Sequence, residues 1–261
     1  MSLISNYTMM TANTDRTLTN LAKQPQAARD IAYFQANIGT IKTVDDFVGN
    51  TRIFNFAMKA YGLDDMTYAK AFLKKALKDG VATSDTFAMK LSDPRFKAFV
   101  TAFNFAANGT ATTSSETLKT TTVDKYKQAL LEDSAGQQDP SLKIAMYFKD
   151  NINSVTSIYG IMGNKALYQM VQTTLGLPAA MSNIDIDQQA KFISAKFNLD
   201  DMKDPKKLDN FVKRYLAVYD MTNNTSAASN PAVSILSGDT TATGVSQSTL
   251  LSLQSYKRYS F

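Results

Sequence analysis

"TVDDFVGNTRIFNFAMKAYGL" (residues 43–63) predicts a helix with a defined beginning and a defined end. The Thr43 hydroxyl can cap the first turn, and Asp46, three residues later, can complete a capping box. Gly62 can end the helix because glycine adopts positive φ readily. Between these signals, apolar side chains recur every three or four residues, at Val44, Phe47, Val48, Phe54, Ala57, Met58 and Tyr61. The stretch therefore predicts an amphipathic helix that packs on a core.

The same pattern returns further along the chain. The motif "YFQANI" at 33–38 recurs as "YFKDNI" at 147–152, an offset of 114 residues (147 − 33). Aligned without gaps, residues 33–63 and 147–177 share eight identical positions of 31, including a Gly-Asn pair and a final Gly-Leu pair. Helix composition alone does not place glycine and asparagine at the same positions twice. The pattern predicts two tandem copies of one helical module.

Signals for helix starts and helix ends, together with changes in composition, divide the whole chain into five segments. Proline starts and glycine ends predict helical modules at 25–107 and 139–221, joined by a Ser/Thr-rich loop and a helix at 108–138. Residues 1–24 are predicted to be a flexible segment, and residues 222–261 a linker followed by an amphipathic helix. Because no stretch shows convincing alternation of a strand, the predicted fold class is all-α, a helical bundle of two related, tandemly duplicated modules.

The composition excludes several kinds of chemistry. The chain has neither Cys nor His. It therefore lacks disulfides, thiol nucleophiles and Cys-based metal sites, as well as the most common general base and metal ligand. The paired aspartates lie near predicted helix starts, where carboxylates interact favourably with the helix dipole. We predict no catalytic residue, no metal site and no cofactor.

Charge and hydropathy limit the partners that we expect. The net charge is only +5, and the basic residues alternate with apolar positions on predicted helices, so no nucleic-acid interface is predicted. No run of about 18 apolar residues is present, so no membrane span is predicted. The N-terminus lacks the basic start and apolar run of a cleaved signal peptide. We expect a location in the cytoplasm, or export by a route that reads no such signal.

Four sequence motifs stand out between residues 25 and 221. They are Tyr33-Phe34 with Asn37-Ile38, Val44-Asp45-Asp46-Phe47, Ala60-Tyr61-Gly62-Leu63 and Leu91-Ser92-Asp93-Pro94-Arg95-Phe96. With these motifs the chain resembles a family of unknown function, domain of unknown function 1217. In the second copy, Pro178 replaces Asp64, and Lys206 stands where the first copy has Arg95.

Members of this family occur mostly in alphaproteobacteria, often beside flagellar genes. The resemblance therefore implies a role connected with the flagellum, and export by a flagellar route as the alternative to a location in the cytoplasm. It implies no catalytic residue.

The last stretch of the chain has apolar residues that a helix would place largely on one side. Exposed apolar side chains of this kind need a covering surface, so we predict that they dock on a protein of the flagellar base or on a second copy of the chain. The candidate docking residues are Val245, Leu250, Leu253, Tyr256 and Phe261.

Two functions follow from these patterns. The first is a non-enzymatic structural or assembly protein that acts through protein–protein contacts and that the family resemblance connects with the flagellum. The alternative is a small-molecule-binding protein, or an unrecognised enzyme, built on the same helical scaffold. A deep pocket with convergent polar groups and perturbed pKa values would favour the alternative.

Overall fold

The computed structural model describes residues 2–91 and 93–223, and all regular structure in these residues is helical, as the predicted fold class requires. The candidate docking residues between 245 and 261 lie outside the described residues. Short 3-10 helices connect several of the α-helices. The α-helices are α1 (Leu3–Ala12), α2 (Thr14–Ala22), α3 (Pro25–Asn37), α4 (Val44–Gly49), α5 (Thr51–Ala60), α6 (Lys70–Asp79), α7 (Pro94–Ala102), α8 (Phe105–Asn108), α9 (Glu116–Gln138), α10 (Pro140–Asn151), α11 (Ile158–Met162), α12 (Lys165–Leu175), α13 (Ile186–Ser194) and α14 (Pro205–Asn223).

The buried side chains form two hydrophobic clusters. The first cluster draws on α3 to α8 and the second on α1 and α10 to α14. Helix α9 belongs to both, because Leu118, Val123 and Tyr126 pack in the first cluster while Leu131 and Ala135 pack in the second. This one long helix therefore joins the two halves of the core.

The helix predicted over residues 43–63 is two helices, α4 and α5, that meet at Asn50. The Asn50 side chain accepts a hydrogen bond from the backbone N–H of Ile53 at 3.1 Å, which caps α5. At the equivalent place in the second half, Asn164 caps α12 in the same way. The prediction of one continuous helix was wrong because asparagine competes for backbone N–H groups and so favours a new helix start over a helix interior.

The predicted ends of that stretch are confirmed. The Thr43 hydroxyl accepts a hydrogen bond from the Asp46 N–H at 3.0 Å, and the Asp46 carboxylate accepts one from the Thr43 N–H at 3.0 Å. Gly62 has φ of +65°, in the left-handed region that glycine adopts without strain. Both features depend on neighbours within three residues, which is why the sequence reveals them.

The described part of residues 1–24, the segment predicted to be flexible, contains α1 and α2. Tyr7 is fully buried in the second cluster, and its hydroxyl donates a hydrogen bond to the Asp209 carboxylate at 3.2 Å. Leu3 is also buried there. The sequence did not reveal this packing because the partners of α1 are on α14, some 200 residues away in the chain (209 − 7 = 202).

Within residues 108–138, predicted as a Ser/Thr-rich loop followed by a helix, the helix begins inside the Ser/Thr-rich sequence. Helix α9 begins at Glu116, and the Ser115 hydroxyl caps it by accepting a hydrogen bond from the Leu118 N–H at 3.3 Å. Leu118 and Thr122 in this first part of the helix are buried. Burial therefore outweighs the modest helix propensity of the Ser/Thr-rich sequence.

Matching local structure occurs at the two copies of the repeat. The Asn37 carboxamide donates a hydrogen bond to the Tyr33 carbonyl at 2.8 Å, and the Asn151 carboxamide donates one to the Tyr147 carbonyl at 2.9 Å. A 3-10 helix follows in each case. The duplication itself stays a prediction, which superposition of the first copy on the second would test.

The buried hydroxyl of Tyr215 leads to a stability prediction. Tyr215 is fully buried in the second cluster, its hydroxyl has no hydrogen-bond partner among the described residues, and burial raises its pKa. Because an unpaired buried hydroxyl is unfavourable, we expect Tyr215→Phe to raise the free energy of unfolding by about 1–2 kcal/mol. Urea denaturation measures the change. The matched variant Tyr7→Phe loses the hydrogen bond to Asp209 and should instead lower it by about 1 kcal/mol; a loss of stability in both variants would contradict the prediction.

Candidate functional site

A cleft lies beside the middle of α9, where the two hydrophobic clusters meet. It consists of an inner cavity of about 110 Å³ and an adjoining outer groove of about 690 Å³. We call it the inter-cluster cleft and define it by the residues that line both parts. These residues are Lys59, Gly62, Arg95, Ala129, Glu132, Tyr147 and Asn164.

Glu132 is the most unusual group in the cleft, because its side chain is charged at neutral pH in ordinary surroundings and yet it is only 8% exposed. Among the described residues, no lysine or arginine nitrogen lies within ion-pair distance of its carboxyl group, and its hydrogen-bonding neighbour is the Asp150 carboxyl group. Burial, and then the negative charge of Asp150, raise the pKa of Glu132 well above its ordinary value. Glu132 therefore keeps its proton to a higher pH than an exposed glutamate does.

Asp150 lies at the mouth of the inner cavity, where its side chain is exposed. Crowding by protein atoms raises its pKa, whereas the hydrogen bond that it accepts from the Gln128 carboxamide and the charges of Lys149 and Lys125 oppose the rise. Since water reaches Asp150 but hardly reaches Glu132, Glu132 is the carboxyl group of this pair that burial favours more strongly in its protonated form.

Arg95 holds one wall of the cleft in place. Its Nε and Nη2 donate to the Asp93 carboxylate at 2.8 and 2.7 Å, and its Nη1 donates to the Gly62 carbonyl. Partial burial lowers the pKa of Arg95, but the Asp93 carboxylate more than offsets this, so the net pKa is raised. A Cβ atom at Gly62 would stand 3.2 Å from the Tyr147 ring. Glycine at position 62 therefore allows both the positive φ and the close approach of the Tyr147 ring from the other half of the core.

Asp133 ties two helices together along the outer groove. Its carboxylate accepts hydrogen bonds from the Lys59 ammonium of α5 at 2.5 Å and from the Lys143 ammonium of α10 at 2.7 Å. Partial burial opposes ionisation, but the bonds from Lys143 and Lys59 lower the pKa of Asp133 overall. Both lysines are therefore already paired with Asp133. The charge of Lys143 still lowers the pKa of Glu132, but burial and the charge of Asp150 outweigh this effect.

Tyr147 and Asn164 form the polar wall opposite α9. The Asn164 carboxamide donates to the Tyr147 hydroxyl at 2.7 Å, while its oxygen caps α12. Burial is the main reason that the pKa of Tyr147 rises to about 12, so the phenol is neutral at physiological pH. Because Asn164 is the donor in this bond, the hydroxyl retains its own proton and a free lone pair for a molecule in the cavity.

None of these cleft residues was predicted as a site from the sequence, in which we found no catalytic, metal-binding or cofactor-binding candidate. Gly62, Tyr147 and Asn164 were recognised only as repeat positions, and Arg95 only as part of a family motif. Glu132 carries no local signal at all, because its burial depends on helices far apart in the sequence. In the part of the chain that the structure describes, no three acidic side chains gather so that they could hold a metal ion, and no helix there is long and apolar enough to cross a membrane.

Comparison with known proteins places the chain in a family. The model of the family described as "Protein of unknown function (DUF1217)" matches residues 60–208, and the chain belongs to this family. The chain is also similar to the crystal structure of protein AGR_C_984 from Agrobacterium tumefaciens, a structural-genomics target, with a TM-score of 0.78 and 34% sequence identity over 84% of this chain and 93% of that chain. No curated protein matches it. The matched range includes every residue that defines the inter-cluster cleft except Lys59.

Proposed function

We propose that the protein binds a small polar molecule in the inter-cluster cleft and does so without catalysing a reaction. One observation carries this proposal: Glu132 is more than nine-tenths buried, lines both the cavity and the groove, and has no cationic partner among the described residues. A buried carboxyl group without a partner is unfavourable in a purely structural position, and such groups cluster at functional sites.

The other charged groups of the cleft support binding rather than catalysis. Arg95 is held by Asp93, and Lys59 is held by Asp133, so these cations position the walls of the cleft. The cleft has no histidine or cysteine, because the chain contains neither. No serine or threonine hydroxyl in the described cleft is hydrogen-bonded to a base that could activate it as a nucleophile.

A nuclear magnetic resonance titration tests the proposal. Labelled protein is titrated separately with small amines, carboxylic acids, amino acids and sugars, and we expect at least one class to shift the amide signals of Gly62, Ala129 and Asn164. Ala129→Phe, which places a ring in the shared wall of cavity and groove, should weaken that binding at least tenfold. The control Ala71→Phe changes an exposed site on α6 and should leave binding unchanged. Signals that shift only outside the cleft, or binding that survives Ala129→Phe, would overturn the proposal.

A second candidate is a flagellum-associated assembly protein that acts through protein–protein contacts. The family resemblance supports the flagellar part of this proposal. Exposed apolar side chains at and around α13 support the contact part. These are Tyr159, Ile184, Ile186 and Phe192. The partner would be a protein of the flagellar base or a second copy of the chain.

A truncation tests this second candidate. Removal of residues 240–261 takes away all five candidate docking residues, from Val245 to Phe261. We expect the thermal melting of the remaining protein to stay cooperative and unchanged, while swimming of a motile host that carries the truncated gene is lost. Unfolding of the truncated protein would show that the segment belongs to the core, and normal swimming with an intact fold would contradict a required partner in motility.

A further inference from the structure

We propose that the ligand of the inter-cluster cleft is a small primary amine, bound as an ammonium ion by the carboxyl groups of Glu132 and Asp150. This inference rests on the proposed function and adds the chemical class of the ligand. It follows from the charges, the hydrogen-bonding groups and the shape of the cleft, taken in turn.

The buried charge that lacks an ion-pair partner in the cleft is negative. Lys59 and Arg95, the two cations that line both cavity and groove, are bound to Asp133 and Asp93. Glu132 has only another carboxyl group as its hydrogen-bonding neighbour. The charges of Lys143, Lys149 and Lys125 act on these carboxyl groups without overcoming the effect of burial, and a bound cation would let both groups ionise.

The hydrogen-bonding groups suit an ammonium ion. An ammonium group has three N–H donors and no acceptor. The carboxylates of Glu132 and Asp150 can each accept one hydrogen bond, and the Tyr147 hydroxyl, which lines the same cavity, has a lone pair for the third. A carboxylate ligand would instead face two carboxyl groups at this point and be repelled.

The shape of the cleft suits a short hydrocarbon chain on the amine. An inner cavity of about 110 Å³ has room for the ammonium group and a few carbon atoms. The outer groove continues from it and includes the apolar side chains of Pro140, Ile144 and Ala166. A chain of a few methylene groups could therefore lie along this wall while the charged end remains inside.

Proton release would accompany binding. Without a ligand, burial keeps a proton on Glu132, and an ammonium ion would stabilise the carboxylate and displace that proton. The affinity for an amine should therefore rise as pH rises through the raised pKa of Glu132. The other charged or titratable groups near this carboxyl pair are Lys59 of α5, Asp64 after it, Arg95 of α7, Lys125 and Asp133 of α9, and Lys143, Tyr147 and Lys149 of α10.

Calorimetric titration of the full chain with n-butylammonium chloride tests the inference. The titrations use phosphate and MOPS buffers, which differ in ionisation enthalpy and contain no primary amine, at about pH 6 and about pH 8. We expect saturable binding that is tighter at the higher pH, and a heat that differs between the buffers because a proton is released. Glu132→Gln should weaken binding at least tenfold and abolish the buffer dependence. The matched control Glu116→Gln makes the same change at an exposed position of α9 and should bind as the original protein does.

Two further probes separate failure of this inference from failure of the proposed function. Pentanoate and n-butanol have the same butyl chain with a negative or a neutral end. If either shifts the cleft amide signals while butylammonium does not, the cleft binds ligands but the amine assignment is wrong. If butylammonium binds equally to the Glu132→Gln variant, the carboxyl pair is not the site. If none of these probes shifts the cleft signals but an amino acid or a sugar does, only the amine assignment is wrong; if no compound of either titration shifts them, both proposals fail together.

Discussion

Replacing Phe47 with alanine is expected to lower the free energy of unfolding by about 3–5 kcal/mol, because it leaves a large cavity in a close-packed core. Phe47 on α4 is fully buried. Its ring centroid lies 4.8 Å from that of Phe103, 5.7 Å from that of Phe105, 5.8 Å from that of Phe54 and 6.1 Å from that of Phe99. The Phe47 ring therefore packs against side chains from α5, α7 and α8 and from the residue that follows α7. Its loss removes both buried apolar area and aromatic contacts.

Urea denaturation followed by circular dichroism measures this effect. The control is Phe192→Ala, the same substitution at a side chain of α13 that is 52% exposed. Because exposed substitutions usually change stability little, we expect the control to stay within about 0.5 kcal/mol of the original protein. Similar losses in the two variants, or a loss below about 1 kcal/mol for Phe47→Ala, would show that Phe47 does not hold the first cluster together.

The second large effect is expected at the N-terminal helix. Tyr7→Ala should destabilise the protein by about 3–5 kcal/mol, since it opens a cavity in the second cluster and removes the hydrogen bond to Asp209. Tyr7 joins α1 to α14, which is the last helix of the described residues. A loss of this size would mean that the N-terminal segment is part of the folded body.

Met9→Ala on the same helix is the control, because the Met9 side chain is 65% exposed. Urea denaturation and limited proteolysis should show early cleavage within α1 for Tyr7→Ala and none for Met9→Ala. An undisturbed midpoint in Tyr7→Ala, with α1 cleaved equally fast in the original protein, would contradict the packing of α1 on the second cluster and restore the prediction of a flexible segment.

The structure changes the relative support for the two functions predicted from the sequence. From the sequence, contacts with other proteins were the first hypothesis and ligand binding the alternative. The inter-cluster cleft has the features that distinguish the alternative, namely convergent polar groups and the raised pKa of buried Glu132. The assembly role now depends on the exposed side chains around α13 and on the family resemblance, so each hypothesis has its own experiment.

The sequence by itself determined the features that arise within a few neighbouring residues. The capping box at Thr43 and Asp46, and the positive φ of Gly62, need only local hydrogen bonds and backbone freedom. The all-helical class follows from the apolar spacing, which repeats over each turn. Local patterns also led to the incorrect prediction that α4 and α5 form one helix, because the apolar stripe continues across the Asn50 cap.

Only the tertiary structure decided which distant residues meet. The burial of Tyr7 depends on α14, and the second role of Gly62 depends on the Tyr147 ring from the other half of the core. Glu132 is an ordinary helical glutamate in the sequence and becomes a buried acid only where α9 passes between the two clusters and Asp150 comes beside it. Burial and electrostatic interaction depend on distances in space, and the spacing of residues along the chain does not contain those distances.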